Sequence, residues 1–86
     1  MRTRKDVYDA FGDLVSDLGK AKEYAAAAKL SGITLFYHND EARFCSLVVT
    51  ACDALKTLGT LDRVDASLVK RIKAIRSAAK KLAHKS

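Results

Sequence analysis

Apolar residues recur at three- and four-residue steps along most of this chain. Val7, Phe11, Leu14, Val15, Leu18, Ala21, Ala25 and Ala28 share one face if the segment from about Arg4 to Leu30 is a single helix. Gly12 and Gly19 fall inside it, where each weakens the helix by roughly 1 kcal/mol against alanine; they mark close helix contacts or a bend. Ser31-Gly32 ends the segment, with Gly32 placed to take the left-handed conformation of a C-terminal cap. A second stripe, Phe44, Leu47, Val48, Ala51, Leu55 and Leu58, predicts a helix over about 40–58. Asn39 or Asp40 can accept from its free amides, and Gly59 closes it. In the third stripe Leu68, Ile72, Ile75, Ala79 and Leu82 step by four, three, four and three. That is a short heptad seam and predicts a helix over about 66–84. Of Thr60, Asp62 and Asp65, Asp65 is the preferred cap, with Leu61 and Val64 making apolar contacts from the loop.

Between the first two stripes lies Ile33-Thr34-Leu35-Phe36-Tyr37-His38. Its β-branched and aromatic residues suit an extended stretch, but no second strand is present to pair with it. The reading is an ordered connector, extended or with a turn of helix, that lays Leu35 and Phe36 over the core. The pattern as a whole predicts an all-α fold: a single domain over 1–86, built as a small antiparallel bundle of three helices at about 4–30, 40–58 and 66–84.

Composition supports this reading. The chain holds no proline, only 4 glycines and 49% hydrophobic residues, so little interrupts a helix. No apolar run approaches the ~20 residues that span a bilayer, and the N-terminus lacks the apolar stretch of a signal peptide. A cytoplasmic protein with no membrane partner is expected. Cys45 and Cys52 lie seven residues apart, roughly 10 Å along a helix at ~1.5 Å per residue. That is too far for a mutual disulfide within it, so both are read as free, buried thiols.

Charge changes the picture more. The net charge of +6 is concentrated in residues 66–86, where Lys70, Arg71, Lys73, Arg76, Lys80, Lys81 and Lys85 occur with no acid, giving +7. Residues 1–65 sum to −1. At ~100° per residue, Lys70, Lys73, Lys80, Lys81 and His84 fall opposite the apolar seam, with Arg71 and Arg76 on its flanks. Asp6, Asp9, Asp13 and Asp17 form an acidic stripe on the first helix. It is a solvated face or a docking face for a basic partner or for the last helix of a second copy.

Candidate chemistry is sparse. His38 beside Asn39, Asp40 and Glu41 matches no zinc-ligand spacing, so no metal or other cofactor is expected. Arg76 and His84 stand farther apart than the motif of the HEPN helical ribonucleases permits, and that resemblance is rejected. Cys45 lacks a nearby base, and no glycine-rich phosphate loop occurs. The chain is therefore expected to be a non-enzymatic binding protein. It would dock on a larger macromolecule through Lys70, Lys73, Arg76, Lys80, Lys81 and Lys85, through the acidic stripe, and through Phe36 and Tyr37 if the connector is at the surface. Motif-free helical chains of this kind are frequent among phage- and plasmid-type inhibitors and accessory factors, including those of nucleic-acid-handling complexes. The alternatives are sequence-tolerant binding of DNA or RNA backbone by the last helix, and a structural homodimer.

Overall fold

The first helix, α1 (Arg4–Lys20), begins at a capping box. The Thr3 hydroxyl accepts from the Asp6 amide at 3.1 Å, and the Asp6 carboxylate accepts from the amides of Arg2 and Thr3 at 2.9 and 3.0 Å. The computed structural model describes residues 1–84, and all its regular elements are helices: α1, α2 (Tyr24–Thr34), α3 (Glu41–Thr57), α4 (Thr60–Arg63) and α5 (Ala66–His84). The all-helical expectation stands, but the described residues form five helices rather than three.

The expected continuous helix over 4–30 is broken at Ala21-Lys22-Glu23. Lys22 takes a left-handed conformation with φ of 64°. The Glu23 amide donates back to the Leu18 carbonyl at 2.9 Å, and the Lys22 amide to Gly19 at 3.0 Å. This six-to-one bond is that of a Schellman-type ending, with lysine where glycine is usual. The break lets α2 fold against α1 and α3. It also shifts the helical phase: Val7, Phe11, Leu14 and Leu18 are buried as expected, but Ala26 and Leu30 replace Ala25 and Ala28 in the core, and Ala21 is exposed. Gly12 and Gly19 make no close helix contacts, since an added Cβ at either would meet nothing. Gly32 lies inside α2 and is no left-handed cap.

The connector at 33–38 is the end of α2 followed by turns, with Phe36 donating to Ile33 and Asp40 to Phe36. Leu35 and Phe36 do not cover the core; Leu35 is 72% exposed. Ile33 and Tyr37 pack against the core instead, because they continue the phase set by Ala26 and Leu30.

Asp40 caps α3, accepting from the Arg43 amide at 3.1 Å. This helix touches α1, α2, α4 and α5, so its buried face is broad: Phe44, Cys45, Val48, Ala51, Cys52 and Leu55. The expected stripe is corrected at two places. Leu47 is half-buried and Leu58 exposed, while both cysteines join the core as free thiols. Gly59 ends α3 at φ of 75°, and a Cβ there would sit 3.1 Å from the Arg63 guanidinium, so any other residue would be strained. In α5, Asp65 accepts from the Leu68 amide at 2.9 Å, and the buried residues are the predicted Leu68, Ile72, Ile75, Ala79 and Leu82. The described fold measures 34 × 21 × 20 Å.

Candidate functional site

Because the heptad seam of α5 faces inward, its opposite face looks out. Lys70, Lys73, Lys80 and Lys81 are all exposed, and none forms an ion pair among the described residues. From Lys70 to Lys81 they extend over roughly 16 Å at ~1.5 Å per residue. Lys85 lies outside the described residues.

The arginines behave differently. Arg71 reaches across to α1 and donates to Asp17 at 2.6 Å. Arg76 engages Asp53 of α3 through Nε at 2.6 Å and Nη2 at 3.4 Å. Arg63 holds Glu23 at 2.8 Å and also donates to the Leu58 carbonyl at 3.1 Å. Arg76 therefore serves inside the protein first. The guanidinium of Arg71 holds the Asp17 carboxyl below the usual carboxylate range, and Arg76 does the same to Asp53. Lys80 lies close enough to Asp53 to help lower its carboxyl, although it forms no ion pair with it.

An open hollow of about 490 Å³ adjoins one end of the lysine row, lined by Leu61, Val64, Ala66, Val69, Lys70 and Lys73. Leu61 and Val64 make the apolar contacts expected of them, packing on the core, and they also line this hollow. The sequence signal for it was the run Leu61, Val64, Val69 beside two lysines.

The acidic stripe divides by role. Asp6 belongs to the capping box and Asp17 to the Arg71 pair; Asp9 and Asp13 are exposed. Comparison with family models, with curated proteins and with solved structures finds no match to this chain.

Tyr8 and Tyr37 stack with centroids 4.2 Å apart, and His38 meets both rings edge-on. Phe44 joins this cluster from the core. Tyr37 is thus held by ring packing, and burial raises its phenol above the ordinary value. Phe36 is more exposed and lies under the Arg43 guanidinium at 5.6 Å. Neither aromatic belongs to the α5 face. Burial pushes the Cys45 thiol up and the Cys52 thiol up to about 12, so both are protonated at neutral pH and poor nucleophiles. No group of three or more His, Cys, Asp or Glu side chains among the described residues could hold a metal ion, and no helix is long and apolar enough to cross a membrane.

Proposed function

We propose that this chain is a non-enzymatic binding protein that docks on an acidic protein partner through the lysine face of α5. One observation carries the reading: Lys70, Lys73, Lys80 and Lys81 stand free on one face, while Arg63, Arg71 and Arg76 are spent on internal carboxylates. A protein partner is favoured over nucleic acid by the hollow at Leu61, Val64 and Val69. Apolar side chains flanked by carboxylates would fill it and meet Lys70 and Lys73 together, whereas a phosphate backbone offers nothing apolar to insert. Binders of single strands also combine cationic grooves with aromatic platforms, and the aromatic cluster here lies off this face. A small protein of this kind works by occupying a surface of a larger assembly, as an inhibitor or accessory factor does.

The test is capture of partners from the source cell by wild type and by the charge-reversed variant K70E/K73E/K80E/K81E. Wild type should retain a protein partner after nuclease treatment, and the variant should lose it by at least about tenfold. A low-salt gel shift with DNA or RNA that collapses at moderate salt, and vanishes in the same variant, would assign the face to phosphate backbones instead.

A further inference from the structure

One helix carries more apolar surface than the core takes up. Among the 11 residues of α2 only Lys29 is charged. Ala26 and Leu30 bury one side of the helix, and Ile33 and Tyr37 continue that contact. At ~100° per residue, Tyr24, Ala28, Ser31 and Leu35 fall together on the opposite side, within an arc of roughly 60°. All four are exposed, Tyr24 to 66% and Leu35 to 72%. Leu35 keeps helical angles at the C-cap, so the stripe is continuous. Lys29 lies roughly 130° from its centre, which leaves the stripe uncharged. Phe36 follows at the end of the helix, and Leu58, also exposed, lines a hollow with Tyr24. Of the exposed large apolar side chains among the described residues, only Met1 lies elsewhere, beside α1 and α5. A helix apolar on both sides is ordinarily buried on both, and apolar side chains gathered on a surface in this way mark a contact. Gly32, beside the stripe, weakens the helix it stands in. A Cβ there would meet nothing inside the protein, so the fold itself does not need the gap.

The stripe is matched to itself. Its steps are four, three and four, and its sizes run large, small, small, large. A two-fold axis passing between Lys29 and Leu30 exchanges Tyr24 with Leu35 and Ala28 with Ser31. Two copies of α2 packed antiparallel therefore set Tyr24 of each against Leu35 of the other, and Ala28 against Ser31, as in the layers of a heptad seam. The small residues allow close approach at the centre, and tyrosine and leucine close the ends. Charge permits the same pairing. Residues 21–40 hold Lys22, Lys29, Glu23 and Asp40 and sum to zero, whereas residues 66–86 hold +7. Since α2 packs on α1 and α3, the contact leaves both α5 lysine faces outside it. One helix face roughly 16 Å long and ~10 Å wide falls short of the ~800 Å² per partner of a standard interface, so the dimer forms only at high concentration.

We infer that the outward stripe of α2 is a self-association surface, on which a second copy of this chain packs its own α2 antiparallel about a two-fold axis. The contact is separate from the lysine face and does not rest on the function proposed for it. The experiment is sedimentation velocity on the whole chain from about 10 μM to about 1 mM, the range suited to a small interface. Wild type should pass from monomer to dimer. The dimer should hold or strengthen as salt rises from about 0.05 to about 0.5 M, because salt screens the repulsion between two copies of charge +6. Ala28→Glu and Ser31→Lys should each melt within a few degrees of wild type, since both positions are exposed. Each should weaken dimerisation at least about tenfold by placing a charge in an apolar seam. Mixed in equal amounts, the two variants should dimerise to within about threefold of wild type, because position 28 of one copy meets position 31 of the other. K70E/K73E/K80E/K81E should still dimerise. A chain that stays monomeric at about 1 mM would overturn the inference and leave the stripe to a helix of a different protein. A dimer that weakens with salt and is lost in the lysine variant would overturn it in favour of α1 aspartates meeting α5. A dimer unchanged by Ala28→Glu, or variants that mixing does not rescue, would also overturn it.

Discussion

Arginine and lysine divide the electrostatic work of this chain by their chemistry. A guanidinium is a planar fork that matches a carboxylate at two points, and Arg63 and Arg76 use it so. An ammonium on a flexible stem is more strongly hydrated and remains in solvent, as Lys70, Lys73, Lys80 and Lys81 do. The pairs have a consequence for acid stability. Asp17 and Asp53 have folded pKa values below the 3.8 of a free aspartate, so the unfolded chain takes up protons first as the pH falls. Their contribution is complete above about pH 4 and disappears as the pH drops through the lower folded values. Melting temperatures followed from pH 7 to pH 2 should hold to about pH 4 and then decline, and R71M/R76M should decline less steeply. Asp6, held low by the amides of Arg2 and Thr3, supplies the acid dependence that remains in that variant. None of the long-range pairs was legible in the sequence, because Arg71 and Asp17 lie 54 positions apart and nothing local announces their meeting. The Thr3-x-x-Asp6 box lies within one turn, but the periodic spacing of the aspartates hid it by placing Asp6 in the acidic stripe.

Helix ends were readable where ordinary signals mark them. Asp40 and Asp65 cap α3 and α5, and Gly59 takes the left-handed turn, all at expected positions. Replacing Asp65 by alanine should cost about 1 kcal/mol in chemical denaturation, as removal of an N-cap does. The break between α1 and α2 was hidden because lysine, not glycine, holds the left-handed residue. The flanking sequence, from Leu18 through the alanines to Leu30, is otherwise good helix material. Only tertiary packing decides for the fold-back, by giving α2 contacts with α1 and α3 that a straight helix would forgo. Lys22→Gly should therefore raise stability by about 1 kcal/mol in the same measurement, by relieving a conformation unfavourable to any residue with a Cβ. The heptad seam of α5 could be read in full, since nothing interrupts its phase.

At the scale of the molecule, the helices bury one common core of apolar residues, and the charge that composition could only total acquires a direction. The sequence placed +7 on the last segment; the structure separates Arg71 and Arg76, paired with carboxylates of neighbouring helices, from the lysines that point to solvent. That division was beyond periodicity, which places Arg71 and Arg76 merely on the flanks of the seam. It is also the central claim, and the two sets of residues separate it cleanly. The direct measurement is partner affinity and melting temperature for K70E/K73E/K80E/K81E beside R71M/R76M. The lysine variant should melt within a few degrees of wild type and lose binding by at least about tenfold. The arginine variant should melt lower and keep binding to within about threefold. A lysine variant that binds as wild type, or an arginine variant that loses binding at a temperature where it remains folded, would contradict the account.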